Sequence, residues 1–273
     1  WEDVSPSTTV DLFGAIDDEN THVVGASGTI IYSEYFGYSW IFIDSPTDKD
    51  LYSITTIAAD DYGFIVGAEG TILYGGGDPP VWELYEPSPT NQDLYTVCGD
   101  AHPSDPNTTW AVGAGGTILD YEDGVWSLYP YSPTTKDLYG VYVSQYTGNA
   151  WACGAGGTII FWDGTSWILQ DTPTTEDLYP IWYTWWPMYC VGASGTILRS
   201  ENDGLTWELD NCPVTVDLHG VAGYTPFWAV GENGTILSRD WCQNIQPISI
   251  GYVKALFAPS VEAAGSKGDV KER

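Results

Sequence analysis

Positive charge is what this chain has least of. Lys and Arg together number 8 among 273 residues against 37 Asp and Glu, a net charge of -29. Such a surface repels phosphate backbones and excludes nucleic acid as a partner. It suits a soluble extracellular or salt-adapted protein, bound cations, or a basic partner. Three histidines (His22, His102, His219) fall at unrelated positions and compose no Ser/His/Asp arrangement. No apolar run reaches the roughly 20 residues that a membrane-crossing helix needs. Five cysteines contain no C-x-x-C and no Cys/His pair at metal spacing, which excludes zinc-finger and haem-attachment chemistry. Cys98, Cys153 and Cys190 sit in apolar strand patterns and are expected to be buried thiols. Cys212 and Cys242 lie in connecting segments, where a bridge is expected in an oxidising compartment. The sequence opens on Trp1 with no charged-then-apolar leader, which fits a processed product and a secreted, extracellular or periplasmic location.

Glycine and aromatics are abundant, and both are periodic. Six copies of one heptad occur: Val24 to Ile30, Val66 to Ile72, Val112 to Ile118, Cys153 to Ile159, Val191 to Ile197 and Val230 to Ile236. Successive copies start 42, 46, 41, 38 and 39 residues apart. A unit of about 40 residues cannot bury its apolar faces alone, so the chain is one repeat domain. Ahead of each copy stands Asp-Leu-aromatic or its variant: Asp11-Leu12-Phe13, Asp50-Leu51-Tyr52, Asp93-Leu94-Tyr95, Asp137-Leu138-Tyr139, Asp177-Leu178-Tyr179 and Asp217-Leu218-His219. Trp40, Trp82, Trp126, Trp167 and Trp207 follow eight to ten residues after the heptad. These marks predict four short strands per unit, and four-stranded units repeated in series describe a β-propeller. The second Gly of the heptad suits a hairpin position needing positive φ. Turns such as Ser45-Pro46-Thr47 end each fourth strand, because proline cannot continue a ladder.

The expected fold is therefore an all-β, six-bladed propeller of four-stranded antiparallel blades over residues 1–240. Blades start near 11, 50, 93, 137, 177 and 217, and a C-terminal extension runs over 241–273. The sixth unit has no Trp at the usual distance, whereas Trp1-Glu2-Asp3-Val4 matches Trp82-Glu83-Leu84-Tyr85. The N-terminal strand Trp1–Val4 is thus expected to complete the last blade and close the ring.

The string Ile197-Leu198-Arg199-Ser200-Glu201-Asn202-Asp203-Gly204-Leu205-Thr206-Trp207 resembles the repeat of photosystem II assembly-factor propellers and their bacterial relatives. It is also similar to the Asp-box (BNR) repeat of sialidases, with Asn202 where that repeat usually has Asp. The resemblance covers about residues 1–240 and implies a propeller. It departs in one respect, since the photosystem members typically have seven blades and six heptads are counted here. Asp-boxes are structural turns, so the resemblance implies no catalysis. A sialidase clamps its substrate carboxylate with three arginines. This body has two, Arg199 and Arg239, with Arg273 in the extension.

Binding is the stronger class of function. The loop between the first two strands turns aromatic in the fifth unit, with Trp182, Tyr183, Trp185, Trp186 and Tyr189, and Tyr35, Phe36 and Tyr38 form a second, weaker aromatic tip in the first blade. Two adjacent Trp at a hairpin tip are expected to cover the extension, meet a protein partner, or stack on a glycan. The six Asp at the strand heads (Asp11, Asp50, Asp93, Asp137, Asp177 and Asp217) are expected to act as turn caps. As a ring they would concentrate Ca²⁺ or a cationic partner. The sequence thus points to a secreted, non-enzymatic interaction or structural module, within an extracellular surface assembly. A lectin-type propeller is the alternative, and a glycoside hydrolase the weakest reading.

Overall fold

The computed structural model describes residues 8–17, 20–34, 39–57, 62–99, 109–144, 147–183, 187–223, 226–239 and 246–248. They form six four-stranded antiparallel sheets, each with its strands in simple sequential order. Blade 1 consists of Leu12–Asp17, Thr21–Gly25, Ile30–Ser33 and Ile41–Ile43. Blades 2 to 6 span 51–84, 94–128, 138–170, 178–209 and 218–248. The first strand of each blade packs against the first strand of the next, from blade 1 through blade 6, so first strands line the axis and fourth strands face outward.

The core lies between blades rather than within them. Val24 and Ile30 of blade 1 meet Leu51, Ile54, Ile65, Leu73 and Trp82 of blade 2. The same positions meet at each following interface, for example Phe64, Val66 and Ile72 against Leu94, Val97, Ala111, Leu119 and Trp126. Each fully buried Leu, Ile or Val contributes about 1.5–3 kcal/mol relative to exposure. The fourth-strand Trp reaches back to an aromatic of the preceding blade. Trp126 stands nearly perpendicular to Phe64 at 5.0 Å, and Trp167 to Trp110 at 5.1 Å. Between blades 5 and 6 no fourth-strand Trp is seated among the described residues. Arg239 lies over Tyr189 at 5.8 Å and pairs with Asp210, beside an apolar cavity of about 20 Å³.

The heptad is a 3-10 turn with two consecutive left-handed residues, Ser27 (φ 54) and Gly28 (φ 71) in the first copy. The second glycine answers two demands at once. A Cβ on Gly70 would need φ +75 and would stand 2.1 Å from the Thr90 carbonyl oxygen, in the turn leading to the next blade. The Ser-Pro-Thr turn is held in return, with Ser88 Oγ donating to the Gly70 carbonyl at 2.7 Å.

Two expectations need correction. The fourth strand of blade 6 is Gln246–Ile248, pairing Ile236 with Ile248 and Ser238 with Gln246. A strand edge pairs once, so Trp1–Val4, which lies outside the described residues, does not hold this place. A short local connection also closes at less entropic cost than bringing in the far end of the chain. The propeller accordingly extends beyond residue 240. Cys212 is a free, half-buried thiol packed beside the blade 5–6 core, so the expected bridge is not formed; Cys242 lies outside the described residues. Cys153 and Cys190 are buried thiols as expected.

Candidate functional site

Each first strand begins with Asp-Leu-aromatic or, in blade 6, Asp-Leu-His, and the three side chains take separate tasks. Leu51, Leu94, Leu138, Leu178 and Leu218 are buried between blades. The register then slips by one residue. Leu51 pairs with Gly67 and Ser53 with Val66, leaving Tyr52 as the unpaired residue of a β-bulge. The slip recurs at Phe13, Tyr95, Tyr139 and His219, and at Tyr179 with the adjacent Pro180. A bulge re-aims the extra side chain out of the pleat, a device found beside functional sites. Here it turns six rings toward one another around the axis. Phe13 and Tyr52 have centroids 5.6 Å apart, Tyr52 and Tyr95 6.0 Å, Tyr95 and Tyr139 5.6 Å, Tyr139 and Tyr179 5.9 Å, and Tyr179 and His219 5.2 Å. None of these six side chains is buried, although every neighbouring Leu from blade 2 onward is.

Carboxylates surround this collar. The Asp at each strand head from blade 2 onward accepts a backbone N–H from the heptad turn of the preceding blade. Ser27 donates to Asp50 at 2.8 Å, Glu69 to Asp93 at 2.8 Å, Gly115 to Asp137 at 2.8 Å, Gly156 to Asp177 at 2.7 Å, and Ser194 to Asp217 at 2.9 Å. The expected Asx-type caps are therefore inter-blade ties, and Asp11 receives no such bond among the described residues. Each collar tyrosine is held between two of these carboxylates. Burial pushes the phenols of Tyr52, Tyr95, Tyr139 and Tyr179 up. The Asp of the following blade and then that of the same blade push them further. The collar thus presents neutral phenols and aromatic faces beneath a negative rim. Lys49 and Lys136 share the rim, but Lys49 pairs with Glu69 and Lys136 donates to the Gly156 carbonyl.

The aromatics singled out in the sequence fall elsewhere. Trp182 is half-buried and donates through Nε1 to the Gly223 carbonyl at 2.9 Å. Tyr189 is buried against Phe227, with ring centroids 4.6 Å apart. Tyr183 donates to Asp203 and accepts from Tyr142 Oη at its carbonyl. These three belong to blade packing, while Trp185, Trp186, Tyr35, Phe36 and Tyr38 lie outside the described residues. The collar aromatics were visible as the third residue of each Asp-Leu-x. Their signal was an aromatic repeated where the neighbouring Leu alone fills the core.

Two further features bear on chemistry. A cleft of about 310 Å³ between blades 2 and 3 is lined by Tyr62, Phe64, Tyr74, Tyr85, Tyr121 and Glu86. Burial first, then Tyr121, Tyr74 and Glu83, push the Tyr62 phenol up to about 12. Among the described residues, Asp217, His219 and Glu232 form the one group whose ligand atoms lie within 4.8 Å of one another. Arg199 and Arg239 are each engaged by a nearby carboxylate, Glu201 and Asp210, and form no substrate clamp. Asn202 accepts the Thr206 N–H at 2.9 Å and donates to its hydroxyl at 2.9 Å, closing a structural turn. No helix among the described residues is long and apolar enough to cross a membrane.

No protein-family model matches this sequence, and no curated protein matches it. Solved structures are similar. One is YCF48 bound to a D1 peptide, with a TM-score of 0.68 and 19% identity over 88% of this chain and 81% of that chain. A second is YCF48 from Cyanidioschyzon merolae, with a TM-score of 0.69 and 17% identity over 90% and 87%. A third is the WD40 β-propeller domain of Doa1, with a TM-score of 0.67 and 12% identity over 90% and 84%. At these identities the likeness is one of fold, the β-propeller.

Proposed function

We propose that this chain is a non-enzymatic binding module that holds a basic segment of a partner protein at its axial collar. The observation that supports it is the bulge repeated in every first strand, which spends backbone pairing to aim six rings at one place. Rings backed by carboxylates attract Lys, Arg or a peptide amino terminus by cation–π and Coulomb terms together. The net charge of -29 steers the same partners. A YCF48 structure holds a D1 peptide, so a propeller of similar shape accommodates a peptide. We assign the module to an extracellular or surface assembly, consistent with its acidity, and retain the Asp-box likeness as a turn device only. Ca²⁺ on the rim carboxylates is the competing occupant.

A lectin role draws on the tyrosine-lined cleft. It is the weaker reading, because Trp82, Trp126, Trp167 and Trp207 are buried between blades and offer no platform for a sugar. The test is a titration with a labelled Lys/Arg-rich peptide of about ten residues, an acidic peptide of equal length, and CaCl₂. Saturable binding of the basic peptide, weakened in Tyr95→Ala/Tyr139→Ala and by salt, supports the proposal. Equal binding of both peptides, or no effect of the double substitution, refutes it.

A further inference from the structure

We infer that Asp217, His219 and Glu232 of blade 6 form a binding site for a divalent transition-metal ion. One ligand atom from each, two carboxylate oxygens and an imidazole nitrogen, lies within 4.8 Å of the other two. The fold brings these three positions together in every blade. The residue that opens the heptad turn donates its N–H to the carbonyl of the strand-head Asp, at 2.9 Å for Ala26 on Asp11, for Ala68 on Asp50 and again for Glu232 on Asp217. The bulged residue, His219 in blade 6, stands two places along the strand from that Asp. Five blades fill the three places with Asp, an aromatic ring and Ala, and so offer one carboxylate and no imidazole. Blade 6 departs twice, with His219 for the ring and Glu232 where the others have Ala26, Ala68, Ala114, Ala155 and Ala193. Both departures are to metal-ligating residues, and both fall on the positions that adjoin Asp217.

Two carboxylates at this separation repel each other. No cation among the described residues offsets them: Lys49 pairs with Glu69, Lys136 donates to the Gly156 carbonyl, and Arg199 and Arg239 are engaged by Glu201 and Asp210. A divalent ion between them turns the repulsion into two bonds. The donors are also held from behind, as metal ligands are. Asp217 Oδ1 accepts the Ser194 N–H at 2.9 Å, and the His219 ring rests on Tyr179 with centroids 5.2 Å apart. Asp217 is half-buried, whereas His219 and Glu232 are exposed and free to turn inward, to the bonds of about 2.0–2.2 Å that zinc makes with nitrogen and oxygen. The donor set decides the class of metal. Calcium and magnesium take oxygen ligands, whereas imidazole beside carboxylates suits zinc and its first-row neighbours. Three protein ligands leave the remaining coordination to water.

The inference does not require that the collar bind a peptide. Zn²⁺ titration of the intact, metal-free chain against a chromophoric chelator, in excess Ca²⁺, tests it. One Zn²⁺ is expected to bind per chain. His219→Tyr and Glu232→Ala are each expected to weaken it by about 100-fold or more, since losing a group that only hydrogen-bonds a ligand already costs about 10–100-fold. Each substitution installs the residue that other blades carry at that place, so both variants should fold, which their urea midpoints check. Glu69→Ala, which removes an acid from the blade 2 turn, should leave the affinity unchanged. In proton–nitrogen correlation spectra Zn²⁺ should move the imidazole resonances of His219 and not those of His22, which packs against Tyr32 and Trp82. Unchanged affinity in either ligand variant overturns the assignment. Equal weakening by Glu69→Ala also overturns it, marking a diffuse effect of surface charge. So does displacement of Zn²⁺ by an equal concentration of Ca²⁺, which shows an oxygen-only rim site.

Discussion

Asp93 offers a way to separate architecture from binding at one side chain. Its carboxylate accepts the Glu69 N–H at 2.8 Å and so ties blade 3 to blade 2. It also borders the collar between Tyr52 and Tyr95, raising both phenols. Asp93→Ala removes the acceptor and the charge together. A hydrogen bond to a charged group contributes about 1.5–3 kcal/mol, and partial exposure brings this toward the 1–2 kcal/mol of a helix-cap substitution. Asp93→Asn keeps an oxygen facing Glu69, so its cost in stability should be about 0.5 kcal/mol or less. Binding should follow the charge instead. At about 6.5 Å from a bound ammonium in water, one carboxylate contributes about 0.6 kcal/mol, roughly threefold in affinity. Removing all five tied Asp charges should then weaken a basic peptide by about 3 kcal/mol, near 200-fold at low salt and less as salt rises. Urea denaturation reads the first effect, and fluorescence anisotropy with the labelled basic peptide reads the second. If Asp93→Asn loses as much stability as Asp93→Ala, the tie is Coulombic rather than a cap. If the fivefold Asn variant binds the basic peptide with unchanged affinity, the rim is not part of the site.

Other substitutions test the frame. Gly70→Ala places a methyl 2.1 Å from the Thr90 carbonyl oxygen at φ +75, whereas a methyl on Gly115 would have nothing within 4 Å, at φ +63. The first should cost about 3 kcal/mol or more and the second about 1–2 kcal/mol, which thermal melts will distinguish. Trp126→Ala empties the contact with Phe64 and should lose about 3–5 kcal/mol in a denaturant titration, with Trp126→Phe recovering part of it. At alkaline pH the sign follows from phenols whose folded pKa is raised, to about 12 at Tyr62 and in the same direction along the collar. Their contribution is complete below the unfolded value of about 10 and is lost as pH rises toward 12. Native phenolate absorbance should therefore lag the denatured chain, and urea midpoints should fall across that interval. Cys190, whose thiol is pushed well up by burial and by Cys153, should resist alkylation until the protein unfolds.

Most of the architecture was legible because it is written six times. Val66-Gly67 and Gly70-Thr71-Ile72 bracket a turn that only glycine permits, and the Trp that follows fills a gap between blades, so spacing alone located the strands. The sixth fourth strand was hidden for a physical reason. Gln246–Ile248 carries no Trp, and Arg239 over Tyr189 takes the place a Trp would fill. The strand therefore lacks the mark that the other fourth strands share, and Trp1 carries that mark instead.

The collar escaped for a different reason, and that reason clarifies what the repeat encodes. Asp-Leu-Tyr in an ordinary strand would send Tyr to the face opposite Leu, and the aromatic would pass for ordinary surface. The bulge cancels that alternation at one residue, and no residue type in the triplet announces it, since Phe13, Tyr52 and His219 all occupy it. What permits the slip is the first heptad glycine. A Cβ on Gly67 would lie 2.0 Å from the Asp50 carbonyl oxygen, and the adjoining Ala68 N–H bonds that same oxygen at 2.9 Å. The strand can start on this contact and still bury Leu51 opposite Gly67 only by leaving Tyr52 unpaired. The glycine that builds the blade thus also aims the collar ring. One backbone constraint fixes where the ring points while leaving its chemistry free to vary, which is how a structural repeat comes to carry a binding surface.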